Sequence, residues 1–217
     1  KVPAITAVLF TSSRFPASHV LLDKIRLKRF GLAQAIIINS GNANCALGKR
    51  GLEDAEEITH KLAEELKIEP HLVLMASTGI IGKRLPVEKI KKAIPSLVKG
   101  KGKDKFNLAS RAIMTTDKKP KGIAVEFEVS GKKIKLVAMA KGAGMINPSL
   151  ATMLCFITTD LNISLNLLKR ALRKAVEISF NRITIDGEMS TNDTVLIMAN
   201  GLAKNKKIED YKSKDFL

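Results

Sequence analysis

Short apolar runs alternate with amphipathic stretches along this chain. Ala4 to Thr11 and Ala33-Gln34-Ala35-Ile36-Ile37-Ile38-Asn39 are compact and apolar, the second β-branched and ending in a Gly/Asn cluster, so both predict buried strands. From Leu52 to Lys67, Leu52, Ala55, Ile58, Leu62 and Leu66 recur every three or four positions, which predicts an amphipathic helix. Glu53, Asp54, Glu56 and Glu57 would then occupy its first turns, where the backbone dipole favours anions. Leu72 to Met75 predicts a brief strand leading into a Ser77-Thr78-Gly79 turn, and Pro86 opens a helix through Val87, Ile90 and Ile94 that Pro95 is expected to disturb. Gly100 to Lys105 reads as a mobile Gly/Lys loop and Phe106 to Met114 as a short helix. The alternating runs 122–129 and 133–138 flank Ser130-Gly131 and predict a hairpin. Ala151 to Thr159 predicts another buried strand, Ser164 caps a helix with the stripe Leu165, Leu168, Leu172 and Val176, and Thr194 to Met198 is a last strand. The tail after Gly201 turns polar and Lys-rich, as in a connection rather than the end of a fold. The pattern as a whole is that of an α/β protein with mixed strands and helices.

With 217 residues, 45% of them hydrophobic and 27% charged, the chain has a globular composition and enough length for a sizeable core. No apolar run reaches membrane-spanning length, and Pro3 and strand-like alternation follow Lys1 where a leader would need a long apolar core. Cys45 and Cys155 form no CxxC pair, which removes a disulfide scaffold and a cysteine-rich zinc site and fits a reducing, cytoplasmic setting. The net charge of +16 is concentrated: residues 83–121 hold thirteen Lys/Arg against Glu88, Asp104 and Asp117. Such a cluster, with Gly79-Ile80-Ile81-Gly82 followed by Lys83-Arg84, allows a nucleic-acid reading in which a GxxG loop clamps a phosphate backbone. Against it stand 28 Lys to 9 Arg, no Trp, and Tyr211 and eight Phe as the only rings that could stack on bases. A solvated lysine-rich surface is the blander account of the charge and the one the composition favours.

The chemistry open to the chain is narrow. His19, His60 and His71 form no HExxH motif, give little support to a Ser-His-Asp arrangement and read as surface or packing residues. Gly142-Ala143-Gly144 lacks the third glycine of a dinucleotide fingerprint, and Gly48-Lys49 lacks the spacing and the Ser/Thr of a phosphate loop, so no cofactor or metal is expected. A Ser or Thr that becomes the first residue of a new chain needs no histidine, because its own α-amine, with a pKa of about 8, serves as base. The stretch from Lys141 to Leu154 combines a Gly turn, a Pro-restricted loop, the small residue Ala151 and then Thr152 opening a predicted strand. Thr152 is the candidate nucleophile, although Thr at a strand start is commonly only a good β former.

Seven blocks change the balance: Phe10-Thr11-Ser12-Ser13-Arg14-Phe15-Pro16-Ala17, Asn39-Ser40-Gly41-Asn42-Ala43-Asn44, Ser77-Thr78-Gly79-Ile80-Ile81-Gly82, Ala112-Ile113-Met114-Thr115-Thr116-Asp117, Lys141-Gly142-Ala143-Gly144-Met145-Ile146, Ala151-Thr152-Met153-Leu154, and Asp186-Gly187-Glu188-Met189-Ser190-Thr191-Asn192-Asp193-Thr194. In this order they resemble the bifunctional ornithine acetyltransferase (glutamate N-acetyltransferase) family of arginine biosynthesis, over nearly the whole chain. The resemblance implies an N-terminal-nucleophile-like, self-processing fold of mixed sheets layered with helices. It implies cleavage between Ala151 and Thr152, so that 1–151 is the α-chain part and 152–217 the start of the β-chain part. Family members extend further at both ends, so the C-terminal remainder is expected to be missing here. Thr152 would carry an acetyl group from N-acetylornithine to glutamate, acetyl-coenzyme A being a further donor that varies within the family, and the assembly would be a heterotetramer of two α and two β chains. Thr78 and Gly79 match the oxyanion-hole pair, and Thr115, Lys141 and Thr152 match substrate-binding positions, with Thr116 a less certain neighbour. Asn39 to Asn44 could line the site or be only a tight loop. Asp186, Ser190, Asn192 and Asp193 suit a buried hydrogen-bond network that shapes it. Cys155 is expected to share a strand face with Met153 as a small buried residue. Besides a nucleic-acid binder, a related amine-terminal-nucleophile aminopeptidase is the alternative.

Overall fold

A computed structural model describes residues 2–144 and 153–216, apart from the side chain of Lys103. Ala151 and Thr152, where the predicted junction falls, lie outside the described residues. The elements run β1 (Ala4–Phe10), α1 (Ser18–Phe30), β2 (Leu32–Ala33), β3 (Ala35–Asn42), α2 (Gly48–Leu66), β4 (Val73–Ile80), α3 (Val87–Lys99), α4 (Phe106–Ala112), β5 (Lys121–Val129), β6 (Lys132–Lys141), β7 (Leu154–Thr159), α5 (Leu165–Ile178) and β8 (Thr194–Ala199).

Strand alternation builds the layers. The large sheet has the order β2-β1-β8-β7-β6-β5, and β3 and β4 form a separate parallel pair. Val8, Phe10, Leu154, Phe156, Leu196 and Met198 face Ile36, Ile38, Leu74 and Ala76, closing one core between the two sheets. The opposite residues of the large sheet, Ala7, Cys155, Val195 and Ala199 among them, pack under Leu168, Leu172 and Val176 of α5. Ile37, Val73 and Met75 turn the other way, onto Ala55, Ile58 and Leu62 of α2 and Val87 and Ile94 of α3. The result is helix, sheet, sheet, helix, with the central strands β1, β4, β7 and β8 largely buried, as their apolar runs require, and the edge strand β5 exposed. The segment after residue 152 supplies β7 and β8, which pair with each other and with β6 and β1 in the middle of the large sheet.

Several expectations change. Helix α1 has no clean apolar stripe, because its buried face includes His19, Asp23 and Arg26. Those three side chains serve the edge of β4 that, among the described residues, no strand covers. His19 Nε2 accepts the Ser77 N–H at 3.4 Å, both Asp23 carboxylate oxygens lie 3.2 Å from the Met75 nitrogen as acceptors, and Arg26 Nη1 donates to the Val73 carbonyl at 2.6 Å. Four helical residues rise about 6 Å and two strand residues about 6.6–6.8 Å, so side chains near i, i+4 and i+7 can meet alternate strand residues. The expected 77–79 turn is instead the end of β4, paired with β3, which itself continues past Asn39 to Asn42. Helix α2 starts at Gly48, so the acidic residues sit beyond its first turn. Pro95 lies inside α3 without ending it; its missing N–H removes one hydrogen bond, while buried Ile94 holds the helix to the core. The tail is also more than a connection: Ile208 is buried against α5, bridges to Ile163, and buried Asn205 pins the 162 turn. The β5–β6 hairpin turns at Ser130 and Gly131, both at positive φ, the two-residue geometry that a twisted hairpin favours.

Candidate active site

The parallel pair sets one side of the site. Thr78 is 6% exposed near the end of β4, and Gly79 lies opposite Gly41 with φ of 132°. A Cβ on Gly79 would stand 2.2 Å from the Gly41 carbonyl carbon, so only glycine lets the two backbones approach this closely. The Asn39–Asn44 segment is built around this point. Asn39 accepts the Ser77 hydroxyl at 2.6 Å and donates to the Asn42 carbonyl at 2.9 Å, and the Ala43 N–H donates to the Ile80 carbonyl at 2.9 Å. Ser40 Oγ donates to the Ala112 carbonyl at 2.8 Å, linking this pair to the segment that carries Thr115.

Lys141, at the end of β6, is 3% exposed and donates from Nζ to Thr115 Oγ1 at 2.9 Å. Burial lowers its pKa, while nearby Asp117 and Asp193 act the other way. Asp117 locks the two strands of chain together: its carboxylate accepts the Gly142 N–H at 2.8 Å and the Thr115 N–H at 3.4 Å, and takes Lys121 as an ion partner. Its pKa is lowered, because Lys121 and these N–H groups outweigh the desolvation that opposes them. Thr115 and Thr116 are both exposed, next to the buried Lys141 and Asp117. Asp117 was legible only as part of a Thr-Thr-Asp block; a carboxylate two residues after a Thr N–H is the local signal that could have marked it.

The third component is the start of β7. Lys141 is in register with Leu154, and Leu154 with Thr194 of β8, so three strand ends meet here. Asp193 Oδ1 accepts the Met153 N–H at 2.8 Å, and Asn192 Nδ2 donates to the Ser77 carbonyl at 2.7 Å and the Ala43 carbonyl at 2.5 Å. Burial pushes the Asp193 carboxyl up to about 8, against the opposing pull of the Met153 N–H, the Ser190 hydroxyl and Lys141. Ser190 is buried in the same network, whereas Asp186 is exposed on a positive-φ turn. The structure thus joins Thr78-Gly79, Thr115-Lys141 and the strand that follows Thr152 around one end of the sheets.

Cys155 and the basic loop are accounted for differently. Cys155 packs beside Met153 on the α5 face, and burial raises its thiol to about 11, which keeps it protonated. Arg84 makes a bidentate ion pair with the buried Asp54 carboxylate, Nε at 3.0 Å and Nη2 at 2.7 Å, and Gly79 belongs to a paired strand. The 79–84 segment is therefore not an open phosphate clamp. Of the histidines, His60 is exposed and His71 stacks on Phe30 with ring centroids 3.9 Å apart. Neither touches the site.

The ArgJ family model matches residues 1–216. The arginine biosynthesis bifunctional protein of Caldanaerobacter subterraneus subsp. tengcongensis is 47% identical over 204 residues, covering 94% of this chain and 50% of the relative. The chain spans about half the length of the curated relatives it matches. Among solved structures, the arginine biosynthesis bifunctional protein of Bacillus halodurans is similar with a TM-score of 0.61 and 34% identity, over 70% of this chain and 78% of that one. An ornithine acetyltransferase of Mycobacterium tuberculosis, solved in complex with ornithine, is similar with a TM-score of 0.57 and 32% identity, over 69% and 79%. These matches favour neither a nucleic-acid binder nor an aminopeptidase.

Proposed function

The chain belongs to the ArgJ family, and on that premise we propose that it forms the self-cleaving part of a glutamate N-acetyltransferase that takes its acetyl group from N-acetylornithine. Thr152 Oγ attacks the Ala151 carbonyl, the peptide bond opens through an ester, and water hydrolyses that ester, leaving a carboxylate on Ala151 and a free α-amine on Thr152. That amine then accepts the hydroxyl proton of its own residue. The activated oxygen attacks the acetyl carbonyl of N-acetylornithine, the carbon–nitrogen bond breaks, and the proton passes to the departing ornithine amine. In the second half-reaction the glutamate amine attacks the acetyl-threonine ester and the hydroxyl regains its proton.

Thr78 and Gly79 supply the donors for the tetrahedral oxyanion, an arrangement worth about 2.7–4 kcal/mol per donor in comparable sites. Lys141 and Thr115 receive the substrate's polar groups, Lys141 through a carboxylate, as both acetyl donor and acceptor carry one. The observation that carries this reading is the meeting of the Lys141–Thr115 pair with the Thr78-Gly79 strand end beside Met153. Support also comes from the solved relatives, an arginine biosynthesis bifunctional protein and an ornithine acetyltransferase at 34% and 32% identity. The ornithine bound to the Mycobacterium tuberculosis protein fits the same substrate class. The mature assembly is a heterotetramer of two α and two β chains, working in the cytoplasm, where the free buried cysteines stay reduced. Acetyl-coenzyme A is a second donor to be assayed alongside N-acetylornithine.

Intact mass spectrometry of the purified chain tests the first step. Two species corresponding to 1–151 and 152–217 are expected, with Thr152→Ala remaining whole. A wild-type chain that stays uncut under folding conditions overturns the reading.

A further inference from the structure

Asn192 and Asp193 are consecutive and buried, and their side chains bond to different segments. The Asn192 amide holds the carbonyl of Ser77, the residue before Thr78, together with that of Ala43. The Asp193 carboxylate holds the N–H of Met153, whose nitrogen is bonded to the Thr152 carbonyl carbon. The base from which they project is itself fixed. Thr11 donates its N–H to the Asp193 carbonyl at 2.9 Å and its hydroxyl to the Ser190 carbonyl at 2.6 Å. Ala17 donates to the Thr191 carbonyl at 2.9 Å, and Thr191 Oγ1 to Asn192 Oδ1 at 2.6 Å, which orients the amide so that its NH2 faces the two carbonyls.

We propose that Asn192-Asp193 is a positioning clamp that sets the offset between the oxyanion-binding strand end and Met153, the residue after Thr152, a role that rests on the reading of Thr152 as nucleophile. Adjacent Cα atoms across a trans peptide stand about 3.8 Å apart, so two side chains anchored on neighbouring residues cannot drift relative to each other by much. Misplacement by about 1 Å costs a reaction about 100-fold, so a rigid spacer between attacking and stabilising groups acts on rate out of proportion to its effect on stability. Asn205 supplies the contrast. It makes a comparable set of bonds, accepting the Asn162 N–H at 2.8 Å and donating to the Asn162 and Lys206 carbonyls at 3.0 and 2.8 Å, but beyond the opposite end of β8.

The experiment follows self-cleavage of the full chain by intact mass and unfolding by circular dichroism. Asn192→Ala and Asp193→Ala are each expected to slow cleavage about 100-fold. Their double variant should cleave no more slowly than the slower single one, because groups acting as one unit lose the same step, while its melting temperature falls further, since the two side chains have separate partners. Asp193→Asn keeps an acceptor oxygen and should recover most of the rate. Asn205→Ala should lose melting temperature and cleave like wild type. Wild-type cleavage rates in Asn192→Ala and Asp193→Ala overturn the clamp and leave the reading of Thr152 intact, and a slowing of Asn205→Ala that matches theirs overturns it as well. An uncut wild-type chain removes the reading and the clamp together. Should the alanine variants fail to fold, Asn192→Asp, equal in size but without the donors, is expected to fold and cleave slowly; cleavage at the wild-type rate would overturn the clamp.

Discussion

Lys141 donates a hydrogen bond to Thr115 across 26 residues of chain, with its Nζ 2.9 Å from the hydroxyl and its whole side chain withdrawn from solvent. Three elements are needed to bring this about: β6 delivers the lysine, α4 leads into the threonine, and Asp117 ties Thr115 to Gly142. A buried ammonium with a hydroxyl as its hydrogen-bond partner and carboxylates nearby is prepared to receive an anionic group.

Removing that ammonium should separate binding from folding. In the full-length enzyme, Lys141→Met is expected to lower kcat/KM about 10- to 100-fold, the range that the loss of a charge-assisted hydrogen bond of about 1.5–3 kcal/mol implies. Steady-state kinetics with glutamate and N-acetylornithine checks this. An unchanged kcat/KM would take Lys141 out of substrate binding.

Cleavage should not release the two pieces from one another. β7 and β8 lie between β6 and β1, so the portion after residue 152 is hydrogen-bonded on both sides and shares the cores above and below the sheet. The cut protein is expected to elute as a single species on size exclusion and to resolve into two bands only on a denaturing gel. Separation without denaturant would contradict the sheet order.

Gly79→Ala should be far more harmful than Gly82→Ala. At Gly79 a methyl would sit 2.2 Å from the Gly41 backbone and the residue would keep an unfavourable φ, together costing about 2–5 kcal/mol. At Gly82 the φ of 78° has a cost of about 1–2 kcal/mol, with open space around the new methyl. Chemical denaturation of both variants gives the comparison directly.

His19 gives the chain a pH dependence of definite sign. Its folded-state pKa is lowered by burial to about 3 from 6.5, so the stability it contributes is present above pH 6.5 and is lost as pH falls towards 3. Asp23 and Asp193, whose carboxyls burial raises, slope the opposite way and remain in both proteins when His19→Gln is compared with wild type. Glutamine keeps an oxygen that can accept the Ser77 N–H and cannot be protonated in this range. The variant is expected to have its acid unfolding midpoint at lower pH than wild type, measured by circular dichroism from pH 7 to 3.

The sequence by itself determined the elements whose burial is apolar and periodic. The stripe of α5, the face of α2 and the central strands were legible because each turns hydrophobic side chains towards a core, and the hairpin around Ser130-Gly131 through its alternation and turn residues, although Ile123, Val125 and Phe127 of β5 are exposed. Resemblance in ordered blocks also pointed to Thr78, Gly79, Thr115 and Lys141; the fold hydrogen-bonds Lys141 to Thr115 and ties the residue before Thr78 to Asn192. Tertiary structure alone decided α1, because His19, Asp23 and Arg26 are buried for the sake of another strand's backbone and so break the apolar period by which a helix is recognised. It also decided that β8 enters between β1 and β7, which brings Asn192 and Asp193 up against segments 115 and 40 residues away. Periodicity reports which face of an element is buried; which partner buries it depends on chain topology, and that is why the clamp is visible only in three dimensions.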